Sequence, residues 1–436
     1  MRRTLNELPE SLDETYERIL KEIKKPNRDH ARRLLQCLVV AIRPLRVEEL
    51  AEVLAIDFDG IPKLNPNWRW EDDEQALLTS CSSLIAIVES GKSRVVQFSH
   101  FSVREFLTST RLATSSGDVL HYHIALEPAH TVLGQACMSV LLRSGDRDEQ
   151  SSDDDEQSGD DVGNNNFSLA GYAAAHWAAH AQFERVSSYL RTSMESLFDP
   201  DKPYFSAWLK LYNIDTPASD DSTFYLFTFL ASPAAPLYYA SLCGFQDLVE
   251  YLIVKYPQQV NASGGSYLTP LVAALAGRHF QTAELLRHSG ADPNVQWCIR
   301  NTPLHAAACY GDVEMVQVLL NLGADVNIRN DRSRSPLNHI SRGPSGSVKI
   351  PNYPRSIANV ARLLIDRGAD INDKDDKGQT PLHTMTDKGR IEVIRVLLER
   401  GADVGVEDKQ GKTPFSLAKG NGYEEIMKLL SEHGAK

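Results

Sequence analysis

The sequence predicts a mainly α-helical protein in two parts: a helical module that contains one β-hairpin, and a C-terminal solenoid of paired helices. Two observations lead to this fold class. A motif recurs about every 33 residues between residues 231 and 436, which is the signature of a repeat architecture. Residues 5–109 instead combine helical apolar spacing with two short runs rich in β-branched residues, a mixture of helix and strand patterns.

The repeat is found by aligning the proline of Thr-Pro-Leu and related triplets. It gives six copies at spacings of 34, 33, 33, 45 and 33 residues, and two of them read NTPLHAAACYGDVEMVQVLLNLGADVN and QTPLHTMTDKGRIEVIRVLLERGADV. These copies resemble the ankyrin repeat. One copy cannot bury its own apolar face, so neighbouring copies are expected to stack. The aligned prolines are Pro236, Pro270, Pro303, Pro336, Pro381 and Pro414.

Each residue of the motif has a physical task. Thr302 can cap the first helix and Pro303 can occupy its first turn, where the missing N–H does no harm. Gly311 is expected to end that helix. In ankyrin repeats the histidine of Thr-Pro-Leu-His hydrogen-bonds backbone between copies, so the resemblance implies this role for His305 and His383, against a ligand or catalytic role.

A short stretch near the C-terminus raises the question of nucleotide binding. The tripeptide Gly411-Lys412-Thr413 matches the end of a phosphate-binding loop. That loop also needs a glycine five positions before Gly411 and a preceding strand. Val406 stands at that position. The stretch is parallel to 376–381 in the repeat, so it is predicted to be a turn of the solenoid, and no cofactor is expected.

The first 110 residues favour a winged-helix-like module. Helical spacing over 5–23 and 31–56 precedes the runs LIAIVES and RVVQFSH, which are joined by Gly91-Lys92 and followed by SVREFLTS. Helices followed by a hairpin describe a winged helix. DNA binding is the alternative role, but residues 71–84 offer acidic and small side chains where a recognition helix needs Arg, Lys, Asn or Gln. Packing against another domain is therefore the preferred interpretation.

Further motifs extend the resemblance beyond the repeats. RPLRVEELAEVLA, CSSLIAIV, FSHFSVREFL, EPAHTVLGQACMSVLL and YAAAHWAAHA resemble the region after the ATPase of fungal NACHT-type, NLR-like signalling proteins. The resemblance covers nearly the whole chain. It implies that the chain corresponds to the regulatory and sensing half of such a protein. The chain begins where the NACHT ATPase of such proteins ends, so nucleotide-switched oligomerisation is not expected of this chain alone.

Charge and composition divide the chain into four segments. Residues 144–166 hold nine acids against one arginine, out of a net charge of −12 for the chain, and an acidic run with almost no apolar residue is typical of a disordered linker. We expect a winged-helix-like and helical module over 1–143, this linker, a helical bridge over 167–230, and six ankyrin repeats over 231–436. The six scattered cysteines are typical of reduced, mostly buried thiols.

Two other patterns resemble a membrane span and a zinc site, and we favour neither interpretation. Residues 222–246 carry no charge, but Pro233 and Pro236 interrupt them, so no membrane span is expected. His176 and His180 have the spacing of two zinc ligands, but Trp177 stands where a metalloprotease has its catalytic glutamate. We expect Trp177 to pack inside the helical bridge instead.

The sequence therefore predicts a non-enzymatic scaffold or sensor that binds a protein of unknown identity, without a small-molecule substrate and without nucleic acid. The cytoplasm is the expected compartment, with the nucleus as the alternative. Two other functions stay open: a nuclear transcriptional coregulator, and a fragment of a STAND ATPase whose P-loop lies upstream. An insert of 12 residues, about 344–355, is predicted to be an exposed loop.

Partner binding is expected on the finger-like turns between copies and on the exposed end of each first helix. We expect Tyr310 to be the principal anchor, because a rigid aromatic side chain on a concave face is a common interface hot spot; packing of Tyr310 between helices is the alternative. The candidate residues are Cys309, Tyr310, Asp331, Arg332, Arg334, Asp376, Lys377, Gln379, Asp387 and Lys388.

Overall fold

A computed structural model of the chain falls into two units, residues 1–214 and 215–436, each described here by itself. The insert core 341–352, most of the acidic segment 144–166, most of 71–84 and the first half of 222–246 lie outside the described residues. The described residues are 12–60, 62–65, 68, 77, 81, 83–91, 93–148, 168–212, 214, 234–296, 301–340 and 353–435.

The first unit begins with a winged helix. Its three-stranded antiparallel sheet has the order β1-β5-β4, with Leu45 opposite Val96 and Ile85 opposite Phe98. The predicted hairpin is confirmed, and Gly91 supplies the positive φ (63°) that its tight turn needs. The elements are α1 (Leu12–Glu22), α2 (Arg28–Val40), β1 (Leu45–Arg46), α3 (Val47–Leu54), β2 (Ile56–Asp57), β3 (Lys63–Leu64), β4 (Ile85–Ser90), β5 (Ser93–Phe98), α4 (Phe101–Leu107) and α5 (Thr110–Ala113).

A buried carboxylate holds the loop before α3. Glu49 is fully buried, and its two oxygens accept hydrogen bonds from Arg43 (2.7 and 2.8 Å) and from the Arg46 backbone amide (2.8 Å). Burial by itself would raise the pKa of Glu49, but the bonds from Arg43 and Arg46 outweigh it and hold that pKa below its usual value. Arg46 also donates to the carbonyl of Ser168 (3.0 Å), so the winged helix is tied to the helices that follow.

Four helices complete the first unit. Trp177 is fully buried, with its ring 5.6 Å from that of Trp208 and 5.9 Å from that of Phe198, which confirms the expected packing. Trp208 donates to the carbonyl of Ala174 (3.0 Å), so its polar edge is also satisfied. The helices are α6 (Leu126–Asp148), α7 (Ala170–Ala181), α8 (Val186–Leu197) and α9 (Tyr204–Leu211); α6 thus includes the first five residues of the segment predicted as a linker.

Both ring nitrogens of His180 are occupied by protein groups. The Tyr172 hydroxyl accepts from the Ile42 amide (3.2 Å) and is therefore the donor to His180 Nε2 (2.8 Å). His180 Nδ1 then carries the proton and donates to Nδ1 of His130 (2.9 Å). Burial lowers the pKa of His180 to about 3. This histidine serves as a core hydrogen-bonding group, and the described residues contain no group of three or more potential metal ligands.

The second unit is a stack of six helix pairs, and each of the six aligned prolines begins a first helix. Gly311 ends one first helix with a left-handed φ of 74°, as expected. The pairs are α10 (Pro236–Cys243) with α11 (Gln246–Lys255), α12 (Pro270–Ala276) with α13 (Phe280–His288), α14 (Pro303–Tyr310) with α15 (Val313–Asn321), α16 (Pro336–His339) with α17 (Tyr353–Asp366), α18 (Pro381–Asp387) with α19 (Ile391–Glu399), and α20 (Pro414–Asn421) with α21 (Glu424–Glu432).

The insert in the fourth copy is shorter than predicted, because its last residues are helical. The second helices of the third and fifth copies have nine residues each, whereas α17 has 14 and begins at Tyr353. Ser356, in the added turn, donates a short hydrogen bond to the carbonyl of Gly311. The expected loop 344–355 is therefore corrected at its C-terminal end, where helix formation is stabilised by contact with the third copy.

The thiols agree with the sequence analysis. Cys37, Cys81, Cys137, Cys243 and Cys309 are buried and form no disulfide with one another, as predicted, while the sixth cysteine lies outside the described residues. Burial raises the pKa of Cys37 and of Cys243 to about 12, so neither thiol is activated. Within the described ranges, every helix is too short or too polar to cross a membrane.

Candidate protein-binding site

The turn before each first helix is built around one carboxylate or amide side chain. In the fifth copy, Asp375 Oδ1 accepts the amides of Lys377 and Gln379, both at 2.9 Å. Gly378 takes the left-handed φ of 75° that the turn requires. Asn330 and Asp408 occupy the same position in the fourth and sixth copies. We call these three turns fingers four (330–334), five (375–379) and six (408–412).

Backbone hydrogen bonds join the three fingers side by side. The amide of Asp376 donates to the carbonyl of Arg332 (3.0 Å), and the amide of Lys409 donates to the carbonyl of Lys377 (3.0 Å). Neighbouring fingers are therefore held in a fixed register. Their outward side chains form an ordered row on one face of the second unit.

The histidines of the motif fix the fingers to the helices. His305 Nδ1 accepts the Thr302 amide (3.2 Å), so the neutral ring carries its proton on Nε2 and donates it to the carbonyl of Arg334 (2.9 Å). His383 donates to the carbonyl of Lys412 (3.0 Å). The expected role of both residues is confirmed. Burial lowers the pKa of His305 to about 4, so the ring is neutral at physiological pH.

The fourth copy has asparagine instead of histidine at this position. Asn338 is fully buried, and its amide nitrogen donates to the carbonyl of Asp373 at 3.1 Å. A shorter side chain with a donor therefore makes a similar bridge, to the backbone just before finger five.

A groove of about 740 Å³ lies between the fingers and the inner helices of the fourth to sixth copies. This volume is within the usual range for ligand sites, ~300–1,000 Å³. Its walls are the side chains of the three fingers, and α18 and α20 contribute the remaining residues. The lining residues are Arg332, Arg334, Asp376, Lys377, Gln379, Thr384, Asp387, Lys388, Asp408, Lys409, Gln410, Lys412 and Leu417.

Seven of the ten candidate residues lie together on this groove. They are Arg332, Arg334, Asp376, Lys377, Gln379, Asp387 and Lys388. Asp331 is exposed on finger four but does not line the groove.

The structure does not bring Cys309 and Tyr310 to the groove. Cys309 is fully buried and Tyr310 is 6% exposed, so the expectation of an exposed aromatic anchor at Tyr310 is corrected. The added turn of α17 packs beside this helix end, since Ser356 and Ile357 come within 3.4 Å of where a Cβ on Gly311 would lie. The alternative weighed in the sequence analysis, packing of Tyr310 between helices, describes this position.

Sequence reasoning missed the contribution of the sixth copy. Lys409, Gln410 and Lys412 line the groove, although the sequence predicted only a repeat turn at this stretch and no partner contact. The signal was available, because 409–414 had been aligned with 376–381, where candidate residues were named. Lys412 lies in finger six and Thr413 caps α20, so the stretch forms a repeat turn.

One acid of the groove is kept ionised by its surroundings. Asp408 is 7% exposed and accepts the amides of Gln410 (2.8 Å) and Lys412 (3.0 Å), and Gln379 donates to its other oxygen (3.3 Å). Burial alone would raise the pKa of Asp408, but these hydrogen bonds outweigh it and place the pKa below its usual value. The charge of Asp408 therefore stabilises the turn of finger six and is little available to a ligand in the groove.

Protein-family models match both units. A model described as the winged helix domain of GPI inositol-deacylase matches residues 16–116. A model of three ankyrin repeats matches 355–436, and a single ankyrin-repeat model matches 300–331. The chain is therefore a winged-helix and ankyrin-repeat protein, with the winged helix N-terminal to the repeats.

Curated relatives share parts of the chain. The Monascus ruber protein "azaphilone pigments biosynthesis cluster protein L" is 31% identical over 303 residues, which are 66% of this chain and 61% of that relative. The chain thus spans less than two thirds of the length of that protein. The mouse "ankyrin repeat and SAM domain-containing protein 6" is 35% identical over 94 residues, 21% of this chain and 11% of the relative. "Ankyrin repeat protein nuc-2" of Neurospora crassa is 30% identical over 91 residues, 21% and 8%.

Proposed function

We propose that the chain is a non-enzymatic scaffold or sensor that binds a partner protein in the groove of fingers four to six. The observation that carries this proposal is the convergence of exposed polar side chains from three consecutive fingers on one concavity. Their backbone is held by hydrogen bonds between fingers, so little conformational entropy is lost when a partner binds.

We also propose that this binding belongs to the regulatory half of a NACHT–ankyrin type signalling protein. The order of modules supports it: a winged helix that matches the GPI inositol-deacylase model, then helices α6 to α9, then ankyrin repeats. Fungal NACHT-type proteins have the same order after their ATPase, according to the resemblance stated above. The cytoplasm is the compartment that such a role requires.

Affinity purification of the full chain from cells that express it, followed by cross-linking and mass spectrometry, tests the proposal. Gln410→Trp fills the groove from an exposed fingertip without changing its charge, and Ser431→Trp makes the matched change on an exposed position of α21. We expect the Gln410 variant to lose a specific partner that the wild type and the Ser431 variant retain. Equal partner sets for all three proteins would contradict a binding role for the groove.

Two results would redirect the proposal. A transcription factor as the specific partner, together with nuclear retention of the chain, would favour the coregulator function. An in-frame P-loop in the upstream transcript would favour a STAND ATPase to which this chain contributes the C-terminal part.

A further inference from the structure

The groove carries a charge opposite to that of the chain. Six basic and three acidic side chains line it, giving a formal charge of +3, whereas the whole chain carries −12. A local field of this kind attracts a ligand of opposite charge and repels the rest of an acidic protein surface.

Most of the basic side chains of the groove are available to bind a ligand. Arg332, Lys377 and Lys412 are exposed, and their side chains make no ion pair or hydrogen bond with the described residues. Lys409 donates to the backbone carbonyl of Asp376 (2.7 Å), a neutral group. Two cations are engaged: the guanidinium of Arg334 donates to the buried Asp375 (3.1 Å), and Lys388 pairs with Asp387 (3.1 Å).

Most of the acids of the groove are already satisfied. Asp408 is saturated by two backbone amides and by Gln379, and Asp387 pairs with Lys388 at 3.1 Å. Asp376 is exposed on its fingertip and is the remaining carboxylate of the lining. Four available cations therefore face one exposed carboxylate, so the groove keeps the net charge of +3 that its formal count gives.

The available cations occur once or more on each finger and are held at a fixed spacing. Arg332 and Lys377 occupy the same position of successive fingers, and Lys412 lies two positions later in finger six. The hydrogen bonds between fingers keep these positions in register. An extended chain lying across the fingers would meet the cations in succession, while the exposed Gln410 supplies a donor and an acceptor for its backbone.

We propose that the groove binds an acidic segment of a partner protein, an extended peptide rich in aspartate or glutamate. This inference rests on the proposed function and names the chemistry of the partner. Carboxylates suit the site because the ordinary anionic groups of a protein partner are those of aspartate and glutamate, and the available cations, mainly lysines, act as point charges toward them. Nucleic acid is disfavoured because the lining has three carboxylates and, among the described residues, no aromatic ring on which a base could stack.

Fluorescence anisotropy with the full chain tests the inference. The probe is a short labelled peptide of alternating glutamate and serine, compared with the same peptide carrying glutamine instead of glutamate and with labelled oligothymidine. We expect binding of the glutamate peptide that weakens as salt is raised, with the other two probes bound at least about tenfold more weakly. Equal binding of the glutamine peptide, or tighter binding of oligothymidine, would overturn the inference.

Charge reversal localises the binding. Lys377→Glu and Lys412→Glu should each weaken the glutamate peptide about tenfold, and Lys428→Glu, at an exposed position of α21 outside the groove, should leave it unchanged. The double variant at 377 and 412 reverses the sign of the groove and should instead bind a peptide of alternating lysine and serine. An unchanged affinity in both single variants would refute the site, and thermal unfolding of each variant checks that the stack is intact.

The two proposals fail separately. The Gln410→Trp variant could lose the cellular partner while the wild-type chain does not bind the glutamate peptide. This result would refute the proposal of an acidic segment but would leave the proposed scaffold function in place. Binding of the peptide without any partner loss on Gln410→Trp would refute the scaffold function of the groove in cells.

Discussion

His305 shows how one side chain connects two copies of the repeat. Its ring accepts a hydrogen bond from the Thr302 amide and donates one to the carbonyl of Arg334, and it is fully buried. The motif alone predicts this role, since a buried imidazole can accept on one side and donate on the other. The same position in the fourth copy, Asn338, shows that an amide can replace the imidazole.

We therefore expect His305→Ala to destabilise the second unit and His305→Asn to restore much of the loss. Alanine leaves a buried backbone amide and a carbonyl without partners, which costs about 1–3 kcal/mol for each unsatisfied group. Urea unfolding followed by circular dichroism measures the difference. A midpoint for the alanine variant equal to that of the wild type would show that the bridge contributes nothing.

The buried histidines also predict how stability depends on pH. The pKa values of His180 and His305 are lowered by burial to about 3 and about 4 in the folded chain, against about 6.5 in the unfolded chain. Below pH 6.5 the unfolded state binds more protons, so stability falls as the pH is lowered. At pH 5 each of the two histidines should cost about 2 kcal/mol relative to pH 7.

This loss is checked by urea unfolding at pH 7 and pH 5. His305→Asn is the internal control, because it removes one titrating group and should reduce the loss between the two pH values by about 2 kcal/mol. The same loss in the variant and in the wild type would show that His305 is protonated equally in both states.

At the scale of elements, the repeat pattern predicted the six first helices, because each begins at an aligned proline. The length of α17 could not be predicted, since Tyr353, Pro354 and Arg355 belong to a stretch whose Pro, Gly and Ser content indicates a loop. Helix α17 packs on the end of α14, and this tertiary contact overrides local propensity there. The burial of Tyr310 follows from that packing, so it could not be predicted either.

Tyr310→Ala should consequently reduce stability. Removing a buried aromatic side chain leaves a cavity, and large-to-small substitutions of this kind cost about 3–5 kcal/mol. We expect a lower unfolding midpoint of the full chain, and weaker partner binding only in proportion to the unfolded fraction. Loss of partner binding at an unchanged midpoint would restore Tyr310 as an interface anchor. Lys428→Ala, on an exposed position of α21, is the neutral comparison.

For the whole molecule, the sequence predicted the order of the modules and named more than half of the residues that line the groove. It did not predict that the side chains of these residues converge on one concavity. Spacing identifies which residues sit on fingertips. Their convergence depends on how successive copies are rotated against one another, which the alignment of prolines does not encode. The sequence placed the sixth finger as a repeat turn, but spacing alone did not indicate that its side chains reach the same groove.

The full chain should not bind ATP, since Lys412 belongs to a repeat turn and lacks the glycine loop that cradles phosphates. Fluorescently labelled ATP titrated with the chain should show no saturable binding at micromolar concentrations. Micromolar affinity that disappears in Lys412→Ala would contradict this expectation. The glutamate peptide serves as the positive control for a folded groove in the same experiment.

The series of bridges between a first helix and the next finger has one interruption. Tyr238 accepts the amide of Tyr267 (3.0 Å), and His305, Asn338 and His383 make their bridges further along, but Val272 has no group that could do so. The second and third copies are joined by other contacts, among them hydrogen bonds from Arg287 to the carbonyl of Leu322 (2.6 Å) and from the Asp325 amide to Asn294 (2.8 Å), and the ion pairs of Arg278. Under a stretching force this junction would therefore rely on those contacts, without the bridge from the first helix that joins the other neighbouring copies.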